Sequence, residues 1–70
     1  MVDRFSTMLV RYFEDSDGKL LEQGMVDVPL NKGESIVLKK GRYVIVDTLP
    51  PVVDWLNNFL FHPIIVKKLI

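Results

Sequence analysis

The sequence predicts a small, mainly β fold, and three observations lead to that prediction. Short runs rich in β-branched and aromatic residues recur along the chain, and turn-forming residues separate them. A length of 70 residues allows only one core. We therefore expect one domain over residues 1–70, built as a small five-stranded β-barrel with one short helix or helical turn, at about 51–60, before the last strand.

The first half of the chain predicts two strands joined by a tight turn. Residues 5–13 favour a strand, and the acidic segment after them ends in Gly18, which can adopt the positive φ that closes a hairpin. Residues 19–28 predict a second strand. An isolated glycine inside a strand often marks a bulge, so we expect this strand to bend at Gly24 and to stop at Pro29.

The next segment carries the strongest local signal for a hairpin. Residues 35–39 and 42–48 are rich in β-branched side chains, and the short connection Lys40-Gly41 separates them. The sequence therefore predicts two antiparallel strands here.

A short helix is predicted at 51–60, because Pro51 suits a first helical position and the apolar residues after it recur at spacings of three and four. His62-Pro63 should end this segment. Residues 64–70 then predict a last strand that is apolar on both faces. Such a strand must lie between two neighbours or be buried at a subunit contact.

The succession of elements resembles the SH3-like small barrel, in which a helical turn precedes the fifth strand. The acidic loop and paired aromatic residues of peptide-binding SH3 domains have no match here. The turn from Pro29 to Gly33-Glu34, followed by a hairpin with Tyr43-Val44-Ile45-Val46, also resembles a pattern in short uncharacterised bacterial and phage proteins. That resemblance brings no assigned function.

The pattern of reactive side chains predicts a protein that is not an enzyme and uses no metal or cofactor. The chain has no cysteine, which excludes disulfides and sulfur-based zinc sites. Its single histidine, His62, cannot form a zinc site or a catalytic triad by itself. The Asp-rich turn lacks a calcium-loop pattern, because alignment on Gly18 places Phe13 and Gly24 at the two anchor positions.

Aromatic side chains are the candidates for a protein-binding site. The segment 55–61 is dense in large apolar residues, and a small barrel has little volume to enclose them. The predicted contact residues are Trp55, Phe59, Phe61 and Tyr43. In the alternative use of this segment, Leu56, Phe59 and Leu60 close one end of the barrel as a helical lid.

Nucleic-acid binding is the alternative function. Basic residues recur around the predicted third turn and in the last strand, and small barrels often bind nucleic acids. With nine basic and nine acidic residues the formal net charge is zero, which argues against this function. The residues that would carry it are Lys39, Lys40, Arg42 and Lys67.

The expected setting is the cytoplasm, since the N-terminus lacks the pattern of a secretory signal and no apolar run is long enough to cross a membrane. A protein partner is expected, and the resemblance above implies a bacterial or phage-type adaptor or inhibitor. A homodimer formed through the last strand or the Trp55 segment would compensate for the small core.

Overall fold

Six β-strands build the part of the chain that the computed structural model describes, which is residues 8–27 and 30–69. Those two ranges contain no helix. The strands are β1 (Met8–Glu14), β2 (Leu20–Val26), β3 (Ser35–Leu38), β4 (Gly41–Thr48), β5 (Val52–Asp54) and β6 (Phe59–Lys68).

The strands form one curled sheet, a half-barrel, with the order β2-β1-β6-β4-β3. β6 is its longest strand and lies between β1, to which it is parallel, and β4, to which it is antiparallel. β5 pairs with the first residues of β6. The predicted last strand is therefore inserted between two neighbours, which satisfies its backbone groups on both edges.

Alternate residues of the strands point into the concave face of the sheet and form the core. Val10↔His62 and Tyr12↔Ile64 are cross-strand partners, as are Ile45 and Val66, so the pleat brings their side chains to the same face. No polar or charged residue is buried among the described residues. The buried cluster consists of Val10, Tyr12, Leu38, Tyr43, Ile45, Ile64 and Val66.

A side chain connects the two outer strands of the curl. The Glu22 carboxylate on β2 accepts a hydrogen bond of 2.9 Å from the backbone N–H of Lys39, in the turn between β3 and β4. The strand β2 pairs with β1 and the strand β3 with β4, and no ladder joins β2 to β3 in the described ranges. The half-barrel is thus closed at this point by one charged hydrogen bond.

The helix predicted at 51–60 is wrong. Val52 and Val53 lie in β5 and pair with Phe61 and Leu60, and residues 55–58 form the turn into β6. Asn58 adopts the left-handed conformation at φ 60°, which a helix does not allow. The ladder to β6 gives this segment backbone partners that outweigh its weak helical periodicity.

Pro63 lies inside β6 and does not end a segment, so the predicted break at His62-Pro63 is also wrong. β4 and β5 pair with β6 almost continuously, because Thr48 is opposite Ile64 and Val52 is opposite Phe61. Pro63 lies in the gap between them. Its carbonyl accepts a hydrogen bond from the Leu49 N–H at 3.0 Å, and its missing N–H interrupts no pair of either ladder.

The prediction of a mainly β fold is confirmed, and so are the two hairpin turns. Gly18 and Gly41 have φ values of 72° and 138°, which favour glycine. The expected irregularity of β2 is at Leu21 rather than at Gly24, because Tyr12 pairs with Glu22 and Phe13 with Leu20. The parts of the predicted strands at 5–7, 28 and 70, and the predicted strand end at Pro29, lie outside the described residues.

Candidate interaction surface

The turn between β5 and β6 carries the most exposed large apolar side chains of the described residues. Trp55 is 84% exposed and Leu56 is 81% exposed. Val53 and Leu60, which face each other across the two strands, are also exposed. We call these four residues the apolar tip. Single exposed apolar residues are common, but a cluster of this kind is typical of an interaction site.

Asp54 organises the backbone of this turn. Its carboxylate accepts hydrogen bonds from the N–H groups of Leu56 and Asn57, at 3.1 and 3.2 Å, and from the Asn57 side-chain amide at 3.2 Å. The backbone N–H of Asn58 donates to the Asp54 carbonyl at 2.7 Å. The Asn57 side chain and backbone, and then Arg11, lower the pKa of Asp54 below its ordinary value. The tip therefore has a defined conformation.

Arg11 connects the turn to the centre of the sheet. Its guanidinium carbon lies 5.1 Å from the centroid of the Phe59 ring and 4.4 Å from that of Phe61, and both distances are typical of cation–π contacts. The same guanidinium forms an ion pair with Asp54 at 3.2 Å and donates to the Gln23 side chain at 2.9 Å. One side chain of β1 thus holds the base of the tip from the outer face.

A cavity of about 230 Å³ opens on the concave side of the sheet near the start of β6. Leu60, His62 and Ile64 are alternate residues of β6 and so lie on one face, which places the cavity on the same face as Val53 and Leu60. The cavity and the Val53–Leu60 pair therefore lie on the same face of the sheet, with His62 between Leu60 and Ile64. The cavity is lined by Met8, Val10, Leu30, Thr48, Leu49, His62 and Ile64.

The predicted contact residues are separated by the structure. Trp55 is at the tip, and Phe59 is half-buried beneath Arg11. Phe61 is only 9% exposed and Tyr43 only 2%, so neither ring offers a surface to a partner in this conformation. The alternative in which Leu56 and Leu60 close the barrel as a helical lid is wrong, because both are exposed and the segment is not helical.

Several residues of this surface were not predicted from the sequence. Val53 and Leu60 meet only because β5 pairs with β6, and Arg11 reaches the tip from a strand that is remote in sequence. One local signal was present. An Asp followed at three and four residues by two Asn residues, Asn57 and Asn58, is typical of a turn capped by the Asp side chain, with Asn in the left-handed conformation.

The predicted nucleic-acid residues gather at the other end of the sheet. Lys39 and Lys40 form the turn between β3 and β4, Arg42 is the second residue of β4, and Lys67 pairs with Val44 near the end of β6. All four side chains are exposed. The acidic turn after β1 lies at the same end, since the Asp15 N–H donates to the Val66 carbonyl at 2.7 Å. This turn reduces the positive potential there.

Comparisons with known proteins add no assignment, because no family model, curated protein or solved structure matches the chain. Within residues 8–27 and 30–69, no three His, Asp or Glu side chains are grouped so that they could hold a metal ion. The same two ranges contain no helix, and therefore none that is long and apolar enough to cross a bilayer. Any inference about function therefore depends on the geometry of the surface.

Proposed function

We propose that this protein is a non-enzymatic protein-interaction module, an adaptor or inhibitor, that inserts its apolar tip into a hydrophobic pocket of another protein. The observation that carries the proposal is the exposure of Trp55 and Leu56 at the end of a hairpin whose turn is fixed by Asp54. Tryptophan is among the residues that most often dominate binding energy in protein interfaces.

The energy available from the tip is large for such a small surface. Burial of about 200 Å² of a large aromatic side chain is worth roughly 5 kcal/mol at about 25 cal/mol per Å². The hydrogen bonds of Asp54 order the turn before binding, so little further conformational entropy is lost on association. These two properties favour a binding role for the tip.

The charge distribution favours an apolar partner surface. Asp54 is the only formally charged residue in the segment 52–62, and it is paired with Arg11. Few charges would therefore lose solvent when a partner covers the tip, and binding should depend only weakly on salt. A relation to the SH3-like small barrels belongs to the same proposal, and its support is a small curled sheet built from short strands.

Capture experiments with variants test this function. Trp55→Ala should remove the partner from a pull-down at both low and high salt, because the central contact is lost. Val37→Ala is the matched control, since Val37 is 74% exposed on β3 and lies outside the tip. Equal capture by wild type and the Trp55 variant would exclude the tip as the binding site.

Nucleic-acid binding is the second candidate, and the gathering of Lys39, Lys40, Arg42 and Lys67 at one end favours it. Zero net charge and the neighbouring acidic turn oppose it. Binding of labelled oligonucleotides at two salt concentrations distinguishes the two functions. Nucleic-acid affinity should fall steeply as salt rises, and Lys39→Ala with Lys40→Ala should weaken it. Absence of binding at low salt removes this candidate.

A further inference from the structure

We propose that the apolar tip of one copy docks in the cavity of a second copy, so that two chains form a two-fold symmetric dimer that hides Trp55. The proposal rests on the proposed function, because it concerns the same tip, and it adds the partner that covers the tip when no other protein is bound. The cavity is the site that receives it.

The geometry of one face of β6 supports this arrangement. The pair Val53–Leu60 lies between the cavity, at His62 and Ile64, and the turn that carries Trp55. Strands rise about 3.4 Å per residue, so Trp55 and His62, each two residues away from that pair, lie roughly 7 Å from it in opposite directions along the hairpin. A two-fold axis through Leu60 therefore brings each tip to the cavity of the other copy.

The cavity fits a single large side chain. Its volume of about 230 Å³ is below the range that drug-sized ligands occupy. Most of its lining is apolar, and the exposed Leu49 lies at its edge. His62 and Thr48 are its polar lining residues, and either can accept a hydrogen bond from an indole N–H. Trp55 needs both an apolar enclosure and such an acceptor.

The area of the surface predicts a weak dimer. Trp55, Leu56, Leu60, Val53 and Leu49 are all exposed. Together they offer on the order of 600 Å² per copy, or about 1,200 Å² in total, which is the low end for specific interfaces. The contact is isologous, because both copies use the same surface and each tip enters the cavity of the other copy. It therefore closes as a dimer and does not continue into a filament.

Dimer formation regulates the exposure of the tip. A partner that binds Trp55 competes with the second copy, so the apparent affinity for the partner falls as the protein concentration rises. At low concentration the tip is free.

Sedimentation and fluorescence of the full chain test the proposal directly. The molecular mass in sedimentation velocity should change from monomer to dimer between about 1 μM and about 1 mM. Because Trp55 is the only tryptophan, its emission should move to shorter wavelength over the same range as it leaves water. A monomer with unchanged emission at the highest concentration would overturn the proposal.

Three variants locate the contact. Trp55→Ala removes the tip, Leu49→Asp places a carboxylate at the edge of the cavity, and Leu60→Asp places two carboxylates beside the symmetry axis. All three positions are exposed in the monomer, so the variants should fold, which circular dichroism checks. Each should weaken the dimer by about tenfold or more, whereas Val37→Ala should leave it unchanged. A dimer that survives Trp55→Ala would contradict the arrangement.

Mixing two variants gives the sharpest result. A heterodimer of Trp55→Ala with Leu49→Asp restores one complete contact, since the second chain has an intact tip and the first an intact cavity. It should form at lower concentration than either variant alone, because both substitutions then fall in the same broken contact and substitutions within one contact are not additive. A mixture no tighter than its components would contradict reciprocal docking. Failure of the proposed function is seen separately. If the protein is monomeric but its partner capture requires Trp55, the dimer is excluded and the proposed function stands. If the protein is a dimer but its capture does not require Trp55, the proposed function is excluded and the dimer stands.

Discussion

The guanidinium of Arg11 lies 4.4 Å from the centroid of the Phe61 ring, and this contact joins the middle of β1 to the start of β6 on the outer face of the sheet. The same side chain pairs with Asp54 at 3.2 Å. Arg11 therefore links the conformation of the apolar tip to the stability of the half-barrel.

Replacement of Arg11 by Met should lower the free energy of unfolding by about 1–2 kcal/mol, because the variant keeps an aliphatic stem and loses the cation–π and ion-pair contacts. Urea denaturation measures the change. Arg42→Met is the control at an exposed arginine of β4, where the change should stay within about 0.5 kcal/mol. Equal stabilities of the two variants would show that the stacked guanidinium is not a stabilising contact.

The lowered pKa of Asp54 predicts that the protein loses stability at acidic pH. A carboxyl whose pKa is lower in the folded state stabilises the fold above its unfolded value, near 3.8, and this contribution is lost as pH falls through the lower folded value. An NMR titration should give a midpoint for Asp54 below 3.8, and Asn57→Ala should raise it, since the Asn57 hydrogen bonds are the main cause. In thermal melts Asp54→Asn should lose less Tm than wild type as pH drops below about 4. A midpoint at or above the ordinary value would show that the turn does not hold the carboxylate.

Asn58 tests the conformation of the tip. Its φ of 60° lies in the left-handed region, where glycine is unstrained and alanine is not. Asn58→Gly should change the free energy of unfolding by less than about 0.5 kcal/mol, and Asn58→Ala should lower it by about 1 kcal/mol. Chemical denaturation of this matched pair measures the difference, and two equal values would be inconsistent with a left-handed residue here.

The raised pKa of Tyr12 predicts that the protein loses stability at alkaline pH. Burial, and then the charge of Glu22, raise the pKa of its phenol above 10.0. A group with a raised folded pKa stabilises the fold fully below its unfolded value, and the contribution is lost as pH rises through the folded value. Stability measured by circular dichroism should therefore decline above about pH 10 in wild type and decline less in Tyr12→Phe.

The Glu22→Gln variant separates the two causes of that shift. It should lower the pKa of Tyr12 only in part, because burial remains the larger cause. It also weakens the hydrogen bond to the Lys39 N–H that closes the half-barrel, so a loss of about 1 kcal/mol at neutral pH is expected in urea denaturation. A phenol titration identical to that of wild type would mean that the Glu22 charge does not reach Tyr12.

The hairpin turns could be predicted because their chemistry is local. Gly18 and Gly41 occupy conformations that other residues avoid, so short stretches of sequence were enough to place both turns. The segment 51–60 could not be predicted in the same way. Spacings of three and four also arise when both faces of a strand are apolar, and the short segment offered no other signal to decide between helix and strand.

The sequence by itself determined a mainly β chain, the positions of its glycine turns and the presence of Trp55 in an apolar segment with a single charge. Only the tertiary structure decided that Trp55 is exposed while Tyr43 is buried, and that Val53, Leu60 and the cavity share one face. The physical reason is that exposure depends on which strands pair and in which register. A shift of one residue would turn every side chain of β6 to the opposite face.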